Sequence, residues 1–65
     1  MDKKKIAANL KALRGSTSQT EVAKAIGVTV ACLSNYEQGI RVPRDEVKIR
    51  IADYYGVTVE SIFFS

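Results

Sequence analysis

The 65 residues of this chain leave room for one domain, and a chain so short buries only about 60 % of the surface its unfolded form exposes, so a partner subunit would add needed stability. Apolar residues make up 46 % and charged residues 26 %, a balance that suits a globular domain and excludes a disordered, collagen-like or transmembrane chain. A single cysteine and no histidine exclude an internal disulfide and a metal site, while a net charge of +3 and a pI of about 9.2 suit nucleic acid without requiring it.

Lys3, Lys4 and Lys5 look like the start of a signal peptide, but Asn9, Lys11 and Arg14 interrupt the stretch that follows. The expectation is a cytoplasmic protein, in which a free thiol is ordinary. Gly15, Gly27, Gly39, Pro43 and Gly56 cut the chain into short blocks, and five short helices fit them, with no repeat or long linker.

Ile6, Leu10 and Leu13 recur at i, i+4 and i+7, which predicts a first helix that stops at Gly15. Ser18 and Glu21 have the spacing of a capping box, so a second helix starts there and runs to about Ile26, burying Val22, Ala23 and Ile26. Gly27 can take the left-handed conformation that turns the chain sharply. Thr29 then caps a third helix to about Gln38, with Val28 and Leu33 spaced as a hydrophobic staple.

After Pro43 the pattern is two-sided. Val47, Ile49 and Ile51 alternate with charged residues as in a half-buried strand, while Val47, Ile51 and Tyr55 form a helical face. The length of the block, up to the stop at Gly56, decides for a helix and leaves Ile49 without a role. Thr58 caps a last short helix with Val57 and Ile62 as its staple.

Two short helices around a tight glycine turn make a helix-turn-helix, whose second helix can enter the major groove. The third helix has the two faces this needs: Leu33, Tyr36 and Glu37 point one way, and Val30, Ala31, Ser34, Asn35 and Gln38 the other. Cys32 falls toward the interior side, as a small buried residue.

The run QTEVAKAIGVTVACLSNYEQG, preceded by IAANLKALR and followed by VPRDEVKIRIADYYGVTVESIF, resembles the phage repressor and Cro type of helix-turn-helix family, also called the XRE family. Its most specific features are Gln19, Ala23, Gly27 and the Leu33, Tyr36, Glu37, Gly39 ending. The resemblance implies an all-α, compact five-helix domain of the lambda-repressor type over residues 1–65, with the helix-turn-helix at about 18–38. It also implies a transcriptional regulator that binds double-stranded operator DNA, usually as a homodimer.

Residue by residue, the resemblance implies a phosphate contact for Gln19, contacts to bases or the adjoining backbone for Thr29, Val30, Ala31 and Asn35, and a salt bridge between Arg14 and Glu37. Arg41 and Arg44 fall where relatives approach the sugar-phosphate backbone. Asn35 could pair with adenine, worth roughly 1–3 kcal/mol of discrimination, whereas Val30 and Ala31, where many relatives carry polar residues, would touch thymine methyl groups. Ser34 and Gln38 share the outward face and can donate to phosphate or base edges. The loop from Arg14 to Gln19 is shorter than usual in the family, so the first helix is expected to sit differently.

Ile62, Phe63 and Phe64 exceed what one short helix face can hide, and the segment 57–65 is therefore expected to make a dimer contact. No enzyme and no cofactor are expected, because histidine, a phosphate-binding glycine loop and a nucleophile elbow are all missing. The rival expectation is a protein-interaction module, an antitoxin or accessory factor, that keeps the fold without reading DNA.

Overall fold

The computed structural model describes residues 2–64, which form five helices and no strand: α1 (Lys3–Arg14), α2 (Gln19–Ile26), α3 (Val30–Glu37), α4 (Asp45–Tyr55) and α5 (Val59–Phe63). Three of the starts are set by the residues the sequence nominates. The hydroxyls of Ser18, Thr29 and Thr58 accept hydrogen bonds from the backbone N–H groups of Glu21, Cys32 and Ser61, each at 3.1 Å, and each satisfies a donor that the first turn of a helix leaves unpaired. Asp2 does the same for α1, accepting from Lys4 and Lys5 at 2.9 and 3.3 Å.

Between α2 and α3 the chain reverses at Gly27, which has φ 77° and ψ 35°, a left-handed conformation that costs other residues roughly 1–2 kcal/mol. Only Val28 and Thr29 separate it from α3, and Val28 packs against the core. The turn is held from outside as well: Arg50 of α4 donates through Nη1 to the Ile26 carbonyl at 3.1 Å.

Every helix contributes to one core. Ile6 and Leu10 from α1, Val22 and Ile26 from α2, Leu33 from α3, Ile51 from α4 and Ile62 from α5 are each 2 % exposed or less, and burial of such a side chain stabilises by roughly 1.5–3 kcal/mol. The ambiguous block is the helix α4, with Val47 and Ile51 inside. Ile49 is 54 % exposed, so the strand-like alternation arises because an outward isoleucine happens to fall between two inward positions.

The expected dimer contact at the C-terminus needs correction. Ile62 and Phe63 are 1 % and 2 % exposed; they close the core of their own chain, and only Phe64 of the three stands in the open, at 61 %. Asn9 of α1 donates to the Ile62 carbonyl at 2.9 Å and pins α5 from the other side.

Candidate nucleic-acid interface

The central element of the site is α3, an eight-residue helix with a sharply divided surface. Leu33, Tyr36 and Glu37 are buried at 2 %, 5 % and 3 %. On the other side Val30, Ala31 and Gln38 are exposed, and Ser34 and Asn35 are half-buried. The helix occupies 30–37, with Thr29 and Gln38 as its capping residues, so the expected span of 29–38 includes both caps.

A buried carboxylate is what fixes α3 to the rest of the molecule. Arg14 Nε and Nη2 donate to Glu37 Oε2 and Oε1 at 2.7 and 2.9 Å, a two-bond geometry that only arginine provides. Arg14 Nη1 also donates to the Thr17 carbonyl at 2.8 Å, so one guanidinium braces the α1–α2 loop and grips α3, and the shortened loop does not prevent the pair. Burial pushes the Glu37 carboxyl up. The bonds from Arg14 and Gln19, with the nearby charges of Arg14 and Lys11, outweigh burial and hold it below the ordinary glutamate value.

Gln19 is placed differently from the expected phosphate ligand. Its side-chain amide donates to Glu37 Oε1 at 3.1 Å, so this group is engaged in the support of α3. Ser34 and Gln38 are likewise joined to each other, Gln38 Nε2 donating to Ser34 Oγ at 2.6 Å. Thr29 Oγ1 is occupied in capping. Val30, Ala31 and Asn35 make up the remainder of the outward face, and the Asn35 carbonyl accepts from the N–H groups of Ile40 and Arg41 at 3.0 and 3.3 Å, folding the chain after α3 back along it.

That return brings Arg41 and Arg44, both exposed, to one flank of α3. With Thr29, Cys32 and Tyr36 they line a cavity of about 260 Å³ beside the start of the helix. Cys32 lies toward the interior side as expected but is half-buried rather than buried, and it borders this cavity; its Sγ–H donates to the Tyr36 hydroxyl at 3.1 Å. Burial, with Cys32 beside it, pushes the Tyr36 phenol up to about 12, against the opposing charges of Arg41 and Arg44. Tyr36 therefore stays neutral and serves as a wall.

Three residues that hold the site in place give no signal in the sequence. Arg50 grips the end of α2, Asn9 ties α1 to α5, and Lys48 is buried to 7 % with its ammonium 5.6 and 5.3 Å from the ring centres of Phe63 and Phe64. Asp2 could have been found, since an aspartate directly before a helical run is a capping signal. Among the described residues no group of three or more acidic, cysteine or histidine side chains could hold a metal ion, and no helix is long and apolar enough to cross a membrane.

A two-helix unit joined by a glycine turn, with its second helix anchored on one side and open on the other, defines a helix-turn-helix module of the repressor DNA-binding type. The comparisons agree with that class: the family model for the helix-turn-helix domain matches residues 5–62, and the chain belongs to this family. Its fold is similar to the solution structure of the SOS-response transcriptional repressor LexA from Eubacterium rectale, with a TM-score of 0.88 and 27 % identity over 94 % of this chain and 67 % of that one. Comparison with curated protein sequences finds no match.

Proposed function

We propose that this protein is a sequence-specific transcriptional regulator of the XRE type, a repressor, that reads the major groove with α3 and has no enzymatic activity. The observation that carries the reading is the division of α3: its inward residues are fixed by packing and by the Arg14–Glu37 pair, and its outward strip, exposed at Val30, Ala31 and Gln38 and half-buried at Ser34 and Asn35, is flanked by Arg41 and Arg44. A fixed helix holds side chains in register with base edges, which discrimination requires. In this reading Val30, Ala31 and Asn35 face bases, while Arg41 and Arg44 hold phosphates. Gln19, Ser34, Gln38 and Thr29 form the polar rim, where engagement with DNA exchanges the internal bonds of the first three for bonds to the backbone.

The same reading has the chain act as a homodimer in the cytoplasm, through the surface around Phe64 where Ile49 is also exposed. Selection of bound sequences from a random duplex pool tests it. Recovery of a motif with two-fold symmetric halves is expected, and Asn35→Ala should weaken that motif by roughly 1–3 kcal/mol while sparing random DNA. A pool that returns no enriched sequence, together with affinity no better than about 10⁻⁴ M at low salt, overturns it. The exposed apolar pair Val30 and Ala31 favours the second reading, a protein-interaction module, and a protein ligand whose affinity ignores salt would establish that instead.

A further inference from the structure

The lysine run at the start of the chain is left without a role by the site just described, and its position in the fold gives it one. Gly39, directly after α3, is so close to the first turn of α1 that a Cβ on it would lie 3.3 Å from the Lys3 carbonyl oxygen and 3.8 Å from Ala7 Cβ. The other end of α1 reaches Glu37 through Arg14. Lys3, Ala7 and Arg14 lie on one strip of the helix; Glu37 ends α3 and Gly39 follows its cap, so that strip crosses the C-terminal end of α3.

Lys4 and Lys11, seven residues apart, occupy the next strip outward, and both are exposed. Lys11 is near enough to Glu37 for its charge to help keep that carboxyl ionised. Lys5 is different: it shares a strip with Asn9 and Ala12, which face α5 through the Ile62 carbonyl and a cavity bordered by Ile62. None of Lys3, Lys4, Lys5 and Lys11 belongs to an ion pair among the described residues.

The charges are also misplaced for stability. Beyond its capping Asp2, the first turn of α1 carries lysines and no acidic residue, whereas a helix N-terminus favours anions by typically 0.3–1 kcal/mol per charge. Resting on the DNA-binding reading above, we infer that Lys3, Lys4 and Lys11 form a second phosphate-binding flank. They lie beside the C-terminal end of α3, so that backbone contacts there add to those that Arg41 and Arg44 make along its flank. Cys32 and Tyr36 border the arginines, and Glu37, at the end of α3, borders α1.

The test is the salt dependence of binding to a short mixed-sequence DNA duplex by the full chain. Each lost phosphate contact lowers the slope of log affinity against log salt by about 0.9. Lys3→Gln, Lys4→Gln and Lys11→Gln are each expected to lower the slope by about that amount, while Lys5→Gln, which removes the same charge, leaves it unchanged. Thermal unfolding should show Lys3→Gln and Lys4→Gln to be no less stable than the parent. Equal loss for all four variants, or loss for none, overturns the inference because affinity would then follow net charge or other groups. A parent chain that fails to bind the duplex at low salt overturns the reading beneath it as well.

Discussion

Glu37 is the residue on which the interface turns, because it is buried and accepts from both Arg14 and Gln19. Its carboxyl is held lower in the folded chain than in the unfolded one, so the ionised pair contributes stability that is fully present above the ordinary glutamate value, about 4.3. That contribution is lost as pH falls through the folded value. Arg14→Ala removes the largest factor lowering the folded value and leaves burial to raise it. The variant should therefore be less stable than the parent at neutral pH, and the gap should narrow as pH falls, because a carboxyl raised by burial binds more protons folded than unfolded; thermal unfolding followed by helix circular dichroism at a series of pH values measures it. Glu37→Gln has no carboxyl to titrate at this position, so the cost of adding Arg14→Ala to it should not change with pH over the same range. A gap between parent and Arg14→Ala that stays constant on acidification would show the pair to contribute nothing through its charge.

At the scale of elements, the α2–α3 turn joins a backbone requirement to a tertiary contact. A Cβ on Gly27 would lie 2.8 Å from Arg50 Nη1, the atom that holds the Ile26 carbonyl. Gly27→Ala is thus expected to cost the left-handed penalty of roughly 1–2 kcal/mol and to displace the arginine besides. In an Arg50→Ala background the same substitution should cost only the backbone part, and a double-mutant cycle on thermal stability measures the difference. Strict additivity would mean that Arg50 shifts at no cost.

The inward anchor of α3 is the complementary case. Leu33→Ala should destabilise by roughly 2–5 kcal/mol, whereas Ala31→Ser on the open side should stay within about 0.5 kcal/mol. Similar losses on both faces would contradict the two-sided helix.

Those two cases also show what the sequence makes legible. The caps at Ser18, Thr29 and Thr58, the glycine reversal and the division of α3 depend on residues within a few positions of one another, and local spacing reveals them. Arg50 to Ile26, Asn9 to Ile62 and Gln19 to Glu37 join residues 24, 53 and 18 positions apart, and no periodicity encodes a long-range polar contact. The Arg14–Glu37 pair, 23 positions apart, is legible only through the family resemblance. Ile62 and Phe63 escape a sequence reading for a related reason: counting apolar residues on one helix face ignores the space that α1 and α4 open for them.

For the whole molecule, the homodimer proposed above uses the exposed apolar surface at the α4–α5 end. Ile49 and Phe64 are 54 % and 61 % exposed, and with Val59, Asp45 and Lys48 they border a cavity of about 290 Å³. The core takes Ile62 and Phe63, which leaves far fewer large residues for a contact than the roughly 20–30 per side that a stable interface of about 800 Å² engages. A dimer formed here is expected to be weak in solution and to gain its stability when two half-sites, one helical turn or about 34–36 Å apart, hold the copies side by side. Sedimentation of the free chain at micromolar concentration should report a monomer, and binding to a duplex carrying both halves should be cooperative. Phe64→Ser leaves the core intact, so it should retain the affinity for a single half and lose the cooperativity. Unchanged cooperativity in that variant would place the subunit contact elsewhere, because no other large apolar side chain at this end is as exposed.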